Sequence, residues 1–352
     1  MCIKPLWKQK FDVLKDYIKS NSEIYIDMRE ISIPENLRDK FYQYFDDIRN
    51  TFVEDFFASL PIEVDTLCTN YNQAEKELID CLKLDRVELP IDLMSFLHNP
   101  REGMVRWIYN RLFEVIQEKI ALEDFEHMAE NDIFSTTAEM YRLGYEAWAV
   151  FTFITSLEPD EAYFVELDKE DNPIVGELKE VAFGRQFHHN TKRLPEFIIH
   201  SKKLDSYVAV KMPVAREVDT YYPEYKISKK IIKKLTGDTS SVLESRIMFV
   251  SMLKNLEKIP VYIDILERQI QNPDLIIEFL AEEELADKYK ISQVQSRTGF
   301  MKPKLGSTIV VMNPGEKPVS ESSIEGIDIF LVGFDKEKFE PVIDKLLVGK
   351  DG

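Results

Sequence analysis

The sequence predicts an α+β chain: a helical N-terminal region, a central α/β core with a small mixed sheet, and a small α+β C-terminal region. Three observations predict it. Glycine is nearly absent early on, with only Gly103 before Gly144, which suits packed helices. Apolar residues in the same region recur at helical spacing. Past residue 158, short runs rich in strand formers alternate with turn chemistry.

The elements follow in order. "LWKQKFDVLKDYIKS" puts Leu6, Phe11, Leu14 and Ile18 on one helical face. "NLRDKFYQYFDDIRNTFVEDFFASL" repeats the pattern with Phe41, Phe45, Ile48, Phe52 and Phe56, and Pro61 stops it. "NQAEKELIDCLKL" and "GMVRWIYNRLFEVIQEKIALEDFEHMAE" are two further amphipathic segments, with Pro34, Pro90 and Pro100 as punctuation. A separate helix, "STTAEMYRLGYEAWAVFTFITSL", starts at Thr136 as N-cap with Glu139 completing a capping box. From Tyr145 it is apolar almost all round, with Glu146 at the start of the stretch, so it is expected to be buried. Pro159 ends it.

"AYFVEL" and "PIVGELKEV" read as a β-hairpin about the turn "DKEDN", with Pro173 opening the second strand. "GRQFHHNTKRLPEFIIHSKKL" reads as a helix broken near Pro195, and "DSYVAVKMPVAREVDTYY" as a strand. From about 236, "SSVLESRIMFVSMLKNLEKI" and "YIDILERQIQNPDLIIEFLAEEELADKYK" read as helices, "STIVVMNPG" and "GIDIFLVGF" as strands, and "DKEKFEPVIDKLL" as a terminal helix. The expected organisation is 1–130 helical, 131–235 core and 236–352 α+β.

Composition narrows the function. Of the residues, 44% are hydrophobic and 31% charged, a globular balance. The longest uncharged apolar stretch near the middle, Ala147 to Leu157, falls short of the about 20 residues a membrane helix needs. The N-terminus does not read as a secretory signal. Cys2, Cys68 and Cys81 fit no zinc or disulfide framework, and a reducing, cytoplasmic setting is expected. Four-cysteine iron–sulfur ligation is excluded by number.

Net charge is −18, which argues against non-specific coating of nucleic acid. Residues 1–184 hold 19 Lys+Arg and 38 Asp+Glu, a net of −19, whereas 185–234 hold 12 and 5, a net of +7. The basic block contains Arg185, Lys192, Arg193, Lys202, Lys203, Lys211, Arg216, Lys226, Lys229, Lys230, Lys233 and Lys234. It reads as a phosphate-backbone surface for DNA or RNA, or as a solvated face or a patch docking on the chain's own acidic region. His188, His189 and His200 lack a Cys or Asp at ligand spacing. "SRTGFMKPKLGS" combines Arg297, Lys302 and Lys304 with Phe300 and reads as a polar loop, or as a contact to a single nucleic-acid strand.

The hairpin carries the chemistry. Glu177 and Lys179 lie two apart, so on a strand they share one face. Carboxylates on neighbouring strands suit a hard cation such as Mg²⁺ or Mn²⁺, which polarises a phosphate oxygen and acidifies bound water. A lysine beside it offsets charge building on phosphorus. If paired positions sum to 339, Asp160 lies opposite Lys179; if they sum to 340, Glu161 does. One residue of slip flips the face, so both alternatives stand.

"EPD", a strand, a turn and "GELK" together resemble the PD-(D/E)XK nuclease superfamily over residues of about 135–222. The resemblance implies a core of helix, three-stranded meander, helix and further strand, hence a nuclease-like α/β core. It implies Asp160 and Glu177 as metal-binding acids, Lys179 as the motif lysine, and Glu146 as an extra metal-side glutamate on the preceding helix. Gln186 falls where some members carry a glutamine, beside Arg185, Lys192, Arg193, Lys202 and Lys203 as nucleic-acid contacts. Only two strands precede the second helix here, where the family has three; the third is expected within Leu157–Ala162 or Val181–Gly184, or is missing.

Plainer readings stand beside these. Glu177 and Lys179 also read as surface charge on a hairpin, Asp160 as a turn residue, and Glu146 as a residue on the helix's less buried edge. The functional expectation is therefore a Mg²⁺- or Mn²⁺-dependent hydrolase of phosphodiester bonds in nucleic acid. The alternative is a catalytically inactive nuclease-fold protein, or an unrelated α+β protein, serving as a protein or nucleic-acid interaction module. Its acidic helical region would then meet a protein partner.

Overall fold

The computed structural model describes residues 5–57, 63–182, 192–212, 247–264, 266–312, 324 and 326–350. The chain is α+β and divides into two units. One comprises Met1–Thr69 with Ile91–Gly144, the other Asn70–Pro90 with Tyr145–Gly352. Each unit thus draws on two stretches of chain, and the expected boundary near 235 cuts through a sheet.

The first unit is helical. Its elements are α1 (Leu6–Ser20), a small hairpin of β1 (Tyr25–Ile26) and β2 (Ile31–Ser32), α2 (Glu35–Phe57), and the start of α3 (Glu63–Leu82). Next come α4 (Ile91–His98), α5 (Pro100–Trp107), α6 (Tyr109–Ile116) and the first part of α7 (Leu122–Ser156). The i, i+4 stripe on α2 is buried as its spacing dictates: Phe41, Phe45, Ile48 and Phe52. On α1 the stripe is Trp7, Phe11 and Leu14. Leu6, expected inside, is exposed, because the Trp7 indole occupies the core against Phe52 and Phe125, at ring separations of 5.3 and 5.5 Å. Pro100 opens α5 at the first helical position, with Asn99 accepting the Glu102 N–H as cap.

The expected helix start at Thr136 is corrected. α7 runs unbroken through it, so Thr136 caps nothing, and a favourable capping sequence yields to continuous packing: Ile133, Thr137 and Met140 are all buried. Gly144 sits in this helix where an added Cβ would lie 2.7 Å from Leu97 Cδ2 and 3.1 Å from Leu67 Cδ2. Ala is the better helix former by about 1 kcal/mol, but overpacking costs about 1–3 kcal/mol. Gly144→Ala is therefore expected to destabilise by about 1 kcal/mol, measured by urea denaturation.

The second unit is built on one eight-stranded sheet. Its strands are β4 (Pro159–Leu167), β5 (Pro173–Glu177), β8 (Phe197–Ser201), β9 (Ser206–Lys211), β10 (Ile247–Leu253), β13 (Leu275–Leu280), β14 (Ser307–Val311) and β15 (Ile327–Phe330). The spatial order is β15-β14-β13-β10-β9-β8-β4-β5. Pairing is antiparallel from β5 to β13 and parallel from β13 to β15. A parallel neighbour needs a crossover, and α8 (Lys288–Met301) supplies it between β13 and β14. α9 (Glu340–Lys350) closes the chain.

Adjacent residues of β14 show how the sheet is covered. Ser307 Oγ meets Thr298 of α8 at 2.7 Å, while Thr308 Oγ1 accepts from Lys345 of α9 at 3.1 Å. Successive side chains point to opposite faces, so α8 and α9 lie on opposite sides. On the α8 side, Ile247, Phe249, Ile276 and Met301 join Tyr262 and Ile263 in one cluster. Trp148 of α7 packs on Phe334 and Phe339, and Tyr145 donates its hydroxyl hydrogen to the Gly333 carbonyl at 2.7 Å.

Burial on both faces explains the helices that the sequence predicts in error. Residues 247–253 and 275–280 are strands, and so are 197–201 within the expected helix around Pro195. A strand covered on both faces has no alternation to display, and a short apolar run reads alike as strand or buried helix. The third strand after the hairpin, β6 (Glu180–Ala182), joins β3 (Arg86–Glu88) in a parallel pair outside the main sheet. A further small sheet holds β7 (Lys192–Arg193), β11 (Ile263–Asp264) and β12 (Gln269–Ile270). Among the described residues, no helix is long and apolar enough to cross a membrane.

Candidate functional site

The hairpin has the second of the two expected registers. Tyr163 faces Glu177 and Leu167 faces Pro173, and Leu178 N–H donates to the Ala162 carbonyl at 3.0 Å. By the same count Glu161, not Asp160, takes the place across from Lys179, which lies just past the end of that ladder. The turn closes because the Asp168 carboxylate accepts the N–H groups of Glu170 and Asn172, at 2.8 and 2.9 Å.

Asp160 gains its position from a bulge. The pairing of β4 with β8 shifts between Pro159 and Glu161, leaving Asp160 as the extra residue. Its carboxylate accepts from His200 Nδ1 at 2.7 Å, and Lys202 Nζ lies 3.9 Å from its other oxygen. Directly opposite His200 stand Glu161 on β4 and Tyr207 on β9. The imidazole lies 5.0 Å from the Tyr207 ring, which is 6.2 Å from that of Tyr163. The Tyr163 hydroxyl donates to Glu161 Oε2 at 2.6 Å. A half-exposed ledge of two phenols and an imidazole results, rimmed by Asp160, Glu161 and Lys202.

The charges respond to this geometry. The His200 hydrogen bond, with Lys202 adding to it, holds the Asp160 carboxyl below its ordinary value of 3.8. The bond to Glu161, aided by burial, pushes the Tyr163 phenol up to about 12. A carboxyl depressed in the folded state contributes stability that is present above its unfolded pKa and lost as pH falls through its folded one. His200→Ala is expected to return the Asp160 titration toward 3.8, followed by carbon NMR of the carboxyl; an unmoved titration contradicts the assignment.

The other expected residues are scattered in environment. Glu177 is 81% exposed and Lys179 63%, with 3.9 Å between their charged atoms. Glu146 is fully buried in α7. Ions of the Mg²⁺ class need oxygens about 2.0–2.1 Å from one centre. Among the described residues, no three His, Cys, Asp or Glu side chains are grouped to hold a metal ion, so this donor set does not fit one as it stands. Asp160, Glu161, Glu177 and Lys179 do come to one side of the hairpin: Glu177 faces Tyr163, Tyr163 reaches Glu161, Asp160 meets His200 opposite Glu161, and Lys179 lies by Glu177.

The basic residues have largely internal duties. Lys192 donates to the Asp171 carbonyl at 2.7 Å, Lys203 pairs with Glu340, and Arg193 is buried. Lys211, 4% exposed, donates to Glu196 Oε1 at 3.0 Å. Burial pushes Glu196 up and Lys211 down, against their mutual attraction. Lys202 remains open at 63%. Arg185, Gln186, His188, His189, Arg216 and the lysines from 226 to 234 lie outside the described residues.

Sequence reasoning missed Tyr163, His200 and Tyr207 as a group. The signal was modest: three strands whose polar aromatic positions coincide only once the bulge at Asp160 sets the register. No protein-family model matches the chain, and comparison with curated proteins and with solved structures also finds no match.

Proposed function

We propose that the chain is a non-catalytic binding protein whose contact surface is the half-exposed ledge where β4, β8 and β9 bring Tyr163, His200 and Tyr207 together, and that its partner is a protein. The observation that carries this reading is the ledge of Tyr163, His200 and Tyr207, held in place by Asp160 and Glu161. Aromatic side chains with polar tips and a charged rim are the composition of interface centres. Nucleic acid suits the surface less well, because Arg193 and Lys211 are interior and Lys192 and Lys203 are engaged. The carboxylates here, and the net charge of −19 over residues 1–184, favour a partner bringing basic side chains.

Quantitative co-purification tests it. Tyr207→Ala is expected to reduce partner recovery by about tenfold or more, as truncation of an aromatic anchor does. Undiminished recovery by a folded variant moves the contact surface elsewhere.

A second reading, Mg²⁺- or Mn²⁺-dependent hydrolysis of phosphodiester bonds, has one observation in its favour: Asp160, Glu177 and Lys179 come to one side of the hairpin in family order. It predicts cleavage of DNA or RNA by the parent and loss of cleavage in a folded Lys179→Ala variant. Equal cleavage by parent and variant, or none by either, removes it.

A further inference from the structure

We infer that a cavity in the helical unit, between β2, α2 and α6, binds a small organic carboxylate with an apolar body. The cavity measures about 470 Å³. That lies within the roughly 300–1,000 Å³ of sites that take small organic molecules.

Its lining combines two kinds of side chain. Ile31, Ile33 and Phe113 are apolar, and Arg38, Tyr42 and Asn110 bring polar tips. Arg38 supplies the charge, and among the described residues no carboxylate joins the lining. Among the described residues Arg38 makes no ion pair within the chain, and it is exposed on α2. A guanidinium presents a planar fork that matches a carboxylate with two parallel hydrogen bonds. The Asn110 amide is a second donor among the lining residues.

The walls are fixed before any ligand arrives. Phe113 is backed by Phe45 and Phe41, at ring separations of 4.4 and 6.4 Å. The hairpin carrying Ile31 is pinned by Asp27, whose carboxylate accepts the N–H groups of Arg29 and Glu30 at 2.7 Å each and the Tyr25 hydroxyl at 2.7 Å. Gln117, also in the lining, donates to the Asp27 carbonyl at 3.0 Å, which ties that hairpin to the end of α6. A site already held in shape spends less binding free energy on ordering itself. Charge and shape therefore select an anion with an apolar tail over a neutral molecule of equal size.

The experiment is calorimetric titration of the full chain with 4-phenylbutyrate, its primary amide, and acetate. The expected result is a Kd of about 1 mM or tighter for 4-phenylbutyrate, with the amide and acetate about tenfold weaker or more. Arg38→Gln, on an exposed helix position, should keep the fold and weaken 4-phenylbutyrate about tenfold or more. No saturable binding of 4-phenylbutyrate up to about 10 mM overturns the inference. So does a smaller loss in the variant, or an amide that binds as well as the acid.

Discussion

Arg297→Ala is expected to cost about 3–5 kcal/mol, a large share of the roughly 5–15 kcal/mol that holds an ordinary domain folded. Arg297 lies on α8 at 4% exposure, and Glu278 on β13 is fully buried. Arg297 Nε donates to Glu278 Oε1 at 2.9 Å, and a second bond joins Nη2 to Oε2. Glu278 stands between Ile247 of β10 and Ile309 of β14, both buried. Removing the guanidinium takes both of these charge-assisted hydrogen bonds from a buried carboxylate, and the desolvation cost falls on the folded state alone. Replacing both partners is a different matter. Glu278→Leu with Arg297→Met removes the stranded charge along with the pair, so the double variant should recover most of the loss. Urea denaturation of the two single variants and the double variant checks this. A loss below about 1 kcal/mol in Arg297→Ala would contradict the geometry.

Phe151→Ala is the second large effect, at about 3–5 kcal/mol. Phe151 has no exposed surface and lies in the buried stretch of α7 from Tyr145 to Ile154. Its ring meets Tyr71 of α3 at 5.8 Å. Truncation removes the ring's transfer free energy and leaves a cavity that the flanking helix backbone cannot collapse to fill. Thermal and urea unfolding should both register it. Phe134, on the same helix but 68% exposed, is the control: Phe134→Ala should change stability by about 0.5 kcal/mol or less.

Particular residues show what was legible before the structure. The stripe on α2, the buried second half of α7 and the hairpin opened by Pro173 follow directly from spacing and turn chemistry. β14 and β15 were legible because turn residues bound short branched runs. β10 and β13 were not, since strands enclosed on both faces lose the alternation that marks a strand. The same enclosure hides the Glu278–Arg297 pair, whose members are 19 residues apart and look like surface charge. At the candidate site, Asp160 was legible as a residue of interest, but its partner was not. A bulge decides that Asp160 meets His200, 40 residues on, and nothing in the local sequence announces one.

The most direct measurement is paramagnetic broadening of the Tyr163, His200 and Tyr207 ring signals by Mn²⁺. If Asp160 is committed to His200 and the face is a protein contact, the account predicts no saturable broadening below about 1 mM Mn²⁺. Saturable broadening centred on Asp160 and Glu177, and abolished by Glu177→Gln, would make this face a metal centre and contradict the account.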